Sequence, residues 1–550
     1  MERKQIGNII HGSLLDGLNM KLLETVPLES IKAGKFLVVE GQQYDFFSII
    51  TDMHLATTNE RVLISPPNFH HELMHQVVSG TMAYGVVSLR PMLMRDRRQS
   101  EAVLEPVKTI PTHFAHVTEA TDEDIAVVFG SEALNGSKGR KYFYIGTPLD
   151  MSQPVCIDME RFAERSSAVF GRTGTGKTFI TRLLLAGLIK TDAAVNLIFD
   201  MHNEYGTKGT NEGAGGAVKG LQPLFAAQDK VKIYSLDPEG TRKREGRCDR
   251  EVRLGIDQIE PEDILLLQEE LRLNPTAAEY TSILKSEFGH NWLAEFMKRM
   301  KDNDAMQRLA EEKNLLVSSM QALWRRMERL KIECGFLDFK PNPNKLNIIK
   351  ELINDLRRGH SVVIEFGKYD NMISYLLVAN IITRHVEEAY KEATDNYMRT
   401  LNSLDKPKQL VITIEEAHKF LEPRAAAQTS FGKIARELRK YFVSLLLVDQ
   451  RPSGIDDEVL SQIGTKIIAA LSDEKDIHAV LSGVSNAGGM RSILASLDTR
   501  QQALIIGHAV PMPVVIRTRD YDAEFYKAMG FLEGAEKHSK INKNIEAMFS

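Results

Sequence analysis

The sequence predicts an α/β protein in which a parallel-sheet domain with a helical insertion follows a small all-β domain. Three observations carry this. Short apolar and alternating runs fill the chain from Ile6 to about Asp150, strand, loop and helix alternate after Ser166, and the loop "GRTGTGKT" opens the first long helix. At 550 residues the chain exceeds what one hydrophobic core organises, so more than one domain is required.

The first region, residues 1–155, is punctuated by glycine, asparagine and aspartate between runs such as "FLVVEG", "FSIITDM", "MAYGVVSL", "IAVVFG" and "YFYIG". Many short strands at this spacing form a small barrel or sandwich. Over 156–520 the runs become nearly continuous: "SAVFG", "VNLIFD", "VKIYSL", "SVVIEF", "QLVITIEE", "VSLLLVDQ", "KIIAAL" and "ALIIG". Such strands suit a sheet covered on both faces by crossover helices. Between about 259 and 346 the rhythm becomes helical. "IEPEDILLLQEEL" opens with Pro261 and two acids, as a first turn favours, and "LLVSSMQALWRRMERL" repeats apolar residues three and four apart. A polar tail, 521–550, contains "KHSKINKN" and is expected to order against a neighbouring subunit.

With 43% hydrophobic and 26% charged residues the composition is that of a folded globular protein. No apolar run reaches the ~20 residues that span a bilayer, and "MERKQIGNII" lacks a secretory signal's apolar core, so the expectation is a cytoplasmic protein with no membrane partner. Cys156, Cys248 and Cys334 lie far apart, which excludes a disulfide framework and a cysteine-rich zinc site. A net charge of −5 gives no bulk attraction for polyanions, so any nucleic-acid contact must be local.

Gly171, Gly176, Lys177 and Thr178 fill G-x-x-x-x-G-K-[ST] between a strand and a helix. In that frame the loop from Gly171 through Thr173, Gly174 and Thr175 to Gly176 turns backbone N–H groups toward phosphate oxygens of ATP. Lys177 reaches the β- and γ-phosphates, and the Thr178 hydroxyl ligates Mg2+. A carboxylate is needed near the metal and another beside the attacking water, and "QLVITIEEAHKF" supplies Glu415 for the first and Glu416 for the second. Gln450 ends the strand "VSLLLVDQ", where it can sense the γ-phosphate. Between these strands "SFGKIARELRKYF" carries Arg436, Arg439 and Lys440 away from an inward-facing Ile434 and Leu438.

Together "GRTGTGKT", "IFDMHNEY", "IEEAHKFLEPR", "IARELRKYFVSLLLVDQRPSGIDDEVLSQIGTKII" and "ALIIGHAVPMPVVIRTR" resemble the HerA-type DNA-translocating ATPases of the HerA and FtsK group. The resemblance implies a RecA-like motor domain preceded by a barrel, a hexameric ring around DNA, ATP turnover between subunits, and a NurA-like nuclease or a defence effector as partner. It also implies Arg439, with Arg436 second, as an arginine finger. Asp200, His202 and Glu204 match a D-x-H-x-E-Y pattern and are assigned to nucleotide-site support or its coupling to DNA. Two competing readings are an assembly scaffold that activates a bound effector enzyme and a conjugation- or secretion-type DNA pump.

Three stretches weigh less. "HELMH" at 71–75 satisfies a zinc-protease pattern, but it lies among barrel strands without a third ligand. His418 reads as a packing or hydrogen-bonding residue. The basic run 239–253 and the glycine-rich 206–220 read as solvated loops that can touch phosphates.

Overall fold

The computed structural model describes residues 3–58, 83–99, 103–135, 139–210, 217–339, 347–484, 487–498 and 500–531. "HELMH" and "KHSKINKN" lie outside them. The described residues fall into two compact units: one from Met1–Phe162, Val169–Lys177 and Gly464–Arg519, the other from Ala163–Ala168, Thr178–Ile463 and Asp520–Ser550.

In the first unit, β1 (Gln5–Ser13), β2 (Gly17–Leu22), β3 (Phe36–Glu40), β4 (Tyr44–Thr57), β5 (Ala83–Asp96) and β6 (His116–Glu119) pair antiparallel in the order β2-β1-β6-β3-β4-β5. Pairing of β2 with β5, Leu18 opposite Leu89 and Lys21 opposite Val86, closes the ring. Closure removes the free sheet edges that would otherwise template aggregation. Alternate residues point inward, so Ile9, Met20, Leu37, Val39, Ile50, Val87 and Val117 make one apolar core. Arg3 gathers Asp124, Asp45 and Glu40 at the barrel's side, and Thr121 caps the helix Asp122–Phe129 through a reciprocal bond with Asp124.

The same unit holds Tyr142–Pro148, Val155–Asp158, Thr465–Ile468, Gln502–Gly507 and Val514–Thr518, which pair antiparallel. The runs "KIIAAL" and "ALIIG", read from sequence as strands of a parallel sheet, therefore run against one another. An apolar run sets burial but not direction. The short link between Gln502–Gly507 and Val514–Thr518 cannot hold the crossover that parallel neighbours need.

The second unit carries the parallel sheet: β7 (Val195–Asp200), β8 (Val231–Ser235), β9 (Ser361–Glu365), β10 (Leu410–Glu415) and β11 (Val443–Asp449), in the order β8-β9-β7-β10-β11. Every residue of β7, β9, β10 and β11 is buried, as continuous apolar runs require. Their carboxyl ends place Asp200 in register with Glu365, and Glu415 in register with Val448. Helix α1 (Lys177–Thr191) begins at the phosphate loop, and α2 (Met372–Thr400) is the longest helix among the described residues.

The insertion is helical as predicted, with helices Pro261–Leu266, Pro275–Phe288, Trp292–Arg299, Asn303–Lys313 and Val317–Glu333. Pro261 occupies the first turn of its helix, where its missing N–H costs nothing. Trp292 is fully buried and donates its indole N–H to the Ile259 carbonyl at 2.8 Å. Buried Asp263 accepts from Arg384 of α2 at 2.9 Å and from Asn380 at 2.6 Å, which anchors the insertion to the sheet's helical layer.

The described part of the tail, through Phe531, packs on its own chain. Tyr521 donates to the Lys219 carbonyl at 2.8 Å and stacks edge-on against Phe179 with centroids 6.2 Å apart, and Asp522 caps the helix Ala523–Ala528. Aromatic rings at 521, 525 and 526 supply apolar area that the region's polar composition conceals. Cys156 and Cys334 are buried free thiols, and burial pushes Cys334 up to about 11, which makes it unreactive. No helix among the described residues is long and apolar enough to cross a membrane.

Candidate active site

The phosphate loop lies in the first unit. Gly174 and Gly176 hold φ of +79° and +89°, conformations that a side chain would strain, and the space where their Cβ atoms would stand is open for 4 Å. A Cβ on Gly171 would stand 2.7 Å from the Thr175 hydroxyl and 2.9 Å from Ala469 Cβ, so the loop's tight curl requires glycine there. Thr175 closes that curl by donating to the Arg172 carbonyl at 2.7 Å, and Lys177 Nζ donates to the same carbonyl at 3.0 Å. Arg172, Thr173 and Gly174 are exposed. A backbone concavity with open glycines, an ammonium group and the start of a fifteen-residue helix fits a triphosphate.

The carboxylates belong to the second unit. Glu415 ends β10 and is 9% exposed. Its backbone is gripped by Tyr375, whose hydroxyl accepts from the Glu415 N–H at 2.8 Å and donates to its carbonyl at 3.1 Å. Tyr205 donates its hydroxyl to Glu415 Oε1 at 2.7 Å. The carboxylate is thus oriented from the loop after β7.

Glu416 is different. It turns into the left-handed region, φ +48°, so its side chain leaves the strand's line. Gln450 donates its amide to Glu416 Oε1 at 3.3 Å, and His418 Nδ1 lies 3.6 Å from Oε2. His418 in turn meets Asp449, the last residue of β11, at 3.0 Å. Asp449 is 2% exposed and also accepts the backbone N–H of His418 at 2.6 Å and of Arg451 at 2.7 Å. The hydrogen bond to Asp449 holds the His418 imidazole above its ordinary range, which favours imidazolium beside Glu416. The structure thus joins Glu416 and Gln450, both singled out in the sequence, with His418, read there as a packing or hydrogen-bonding residue, and with Asp449, which was not singled out although a charge closing an otherwise apolar strand was its signal.

Asp200, His202 and Glu204 do not converge. Asp200 is buried and accepts three N–H groups of its own loop, from Glu204 at 2.7 Å, Tyr205 at 2.9 Å and Gly206 at 3.0 Å. Burial, with Glu365 alongside, raises its carboxyl to about 7. His202 is exposed. Glu204 turns to α1, where buried Arg182 donates to its carbonyl at 3.0 Å and approaches its carboxylate at 4.0 Å.

The two finger candidates are also unlike. Arg436 is tied within its own chain, to Glu458 at 3.0 Å and to the Ala426 carbonyl at 3.1 Å. Arg439 is about half exposed and pairs with Glu164 at the surface. In the basic run, Arg244 meets Glu365 at 2.9 Å, Arg250 meets Glu351 at 3.0 Å and Arg247 meets Asp249 at 3.0 Å, so much of its charge is already answered. Lys208–Thr210 and Ala217–Lys219 form a small antiparallel hairpin in the glycine-rich stretch, whose residues 211–216 lie outside the described ones.

Residues 143–386 match the family model described as "Helicase HerA, central domain". The chain is 22% identical over 499 residues to the DNA double-strand break repair helicase HerA of Sulfolobus acidocaldarius, covering 90% of each. It is 22% identical over 525 residues to the protein of the same name from Sulfurisphaera tokodaii, covering 94% of each. Among solved structures it is similar to VirB4 of Thermoanaerobacter pseudethanolicus, at 16% identity and a TM-score of 0.43, over 70% of this chain and 98% of that one.

Proposed function

We propose that the chain, whose residues 143–386 match the HerA central-domain model, is an ATP-hydrolysing DNA motor of the HerA kind that assembles as a hexameric ring and translocates DNA for a nuclease or other effector partner. In this reading Lys177 meets the β- and γ-phosphates of ATP, Glu416 takes the proton of the attacking water, and Gln450 reports the state of the γ-phosphate. Thr178 and Glu415 are the groups that would hold magnesium, which when bound neutralises charge on the phosphate oxygens. Arg439, more exposed than Arg436 and paired only at the surface with Glu164, reaches the nucleotide of the adjacent subunit.

The observation that carries the reading is the phosphate loop itself, with its open left-handed glycines and Lys177 at the head of a helix; Glu416, met by one amide at 3.3 Å, supports it as a carboxylate with capacity left for water. The test is ATP hydrolysis with and without duplex DNA, read beside the assembly's mass in the presence of ATP and magnesium. Duplex is expected to raise turnover in a ring-sized assembly, and Lys177→Ala to lower turnover at least about a hundredfold. A Lys177→Ala protein with undiminished DNA-stimulated turnover would refute the loop's assignment, and a monomer under all conditions would refute the ring.

A further inference from the structure

Glu416 and Gln450 sit at the ends of two neighbouring strands, and what joins those ends is one buried carboxylate. Asp449 Oδ2 accepts the His418 backbone N–H and its Oδ1 accepts the Arg451 N–H, so the turn carrying Glu416 and the turn carrying Gln450 share an anchor. His418 Nδ1 faces both Asp449, at 3.0 Å, and Glu416 Oε2, at 3.6 Å. A Cβ added at Gly454 would stand 3.3 Å from His418 Cβ, so glycine there leaves room for the base of that side chain. The left-handed backbone at Glu416 gives that carboxylate no support from the strand itself, which leaves the Gln450 amide and the imidazole to fix its direction.

We propose that Asp449 and His418 form a positioning pair that holds the Glu416 carboxylate against Gln450, so that both side chains respond to the nucleotide as one unit. In this arrangement the imidazole acts through Glu416, as a positioning residue. Its single Nδ1 hydrogen is given to Asp449, and the ring then stands as a fixed wall and charge beside Oε2. A carboxylate braced by an amide at one oxygen and flanked by a ring at the other offers its remaining lone pairs to water over a narrowed range of directions, and small errors in such a direction are costly in rate. The inference rests on Glu416 being the group that acts on water.

The experiment uses the full chain and measures ATP hydrolysis across ATP concentrations, with and without duplex DNA, for Glu416→Gln, His418→Ala, His418→Asn and His418→Gln. The asparagine amide nitrogen falls where Nδ1 lies, whereas the glutamine nitrogen falls where Nε2 lies. His418→Ala is expected to lower kcat about tenfold with KM within about twofold, His418→Asn to recover at least half of the lost rate, and His418→Gln to recover little. Should His418→Ala fail to fold, the ratio of the asparagine to the glutamine variant carries the same information, and a ratio of one overturns the pair. Wild-type kcat in His418→Ala beside an inactive Glu416→Gln overturns the pair alone. Retained turnover in Glu416→Gln overturns the underlying assignment of Glu416 itself.

Discussion

Two strand ends in the second unit each carry an acid, and they are built on opposite plans. At the end of β7, Asp200 is buried and spends its oxygens on three N–H groups of the loop that follows. Just past β10, Glu416 is partly exposed and meets one amide at 3.3 Å and one ring nitrogen at 3.6 Å. A carboxylate saturated by its own backbone holds the fold and cannot turn to a new partner without releasing the loop. One held by two replaceable contacts keeps capacity for a proton. The difference teaches that two acids at the carboxyl ends of strands in one sheet can be left with very different hydrogen-bonding capacity.

The comparison breaks most readily at Glu416. Glu416→Gln is expected to cut turnover by about 10²- to 10⁴-fold while leaving the melting temperature nearly unchanged, read by steady-state ATPase assay and thermal unfolding. Large destabilisation would place Glu416 with Asp200 instead. Asp200→Ala should show the mirror image, a loss of about 3 kcal/mol in chemical denaturation, because three N–H donors, two of them buried, lose their acceptor. A fully stable Asp200→Ala protein would end the structural reading of that acid.

Tyr205→Phe sharpens the contrast between neighbours 415 and 416. Removing a hydroxyl bonded to a buried carboxylate should cost about 2 kcal/mol of stability and change kcat less than Glu416→Gln does. The smallest effect is in pH. Because burial raises Asp200 to about 7 from the ordinary 3.8, the native state binds its proton more tightly than the unfolded chain does. Its contribution is therefore full below about 4 and declines as pH climbs through about 7. The melting temperature of wild type relative to Asp200→Asn should fall across that window, and a constant difference from pH 4 to 8 would contradict the raised value.

Much of this was legible in the linear chain, for identifiable reasons. The strands β7 to β11 announce themselves as continuous apolar runs, and the phosphate loop as glycines at fixed spacing ahead of a helix. Glu416 and Gln450 were legible because polar residues end those runs. Strand direction at 465–518 was not, since alternation and apolarity are the same read either way. The joint held by Asp449 was hidden for another reason. Arg451 is a local partner two residues on, but His418 reaches Asp449 only when a turn from the preceding strand arrives at the same point, and no local pattern records that meeting.

The ring closed by Leu18 opposite Leu89 has a kinetic consequence. That pair must find one another across a long stretch of chain before either is rewarded, whereas the helices of the insertion form from near neighbours. Refolding should accordingly be staggered, with helical signal returning in the fast phase and the N-terminal cylinder sealing last, which makes its unsealed edges the moment of greatest exposure to self-association.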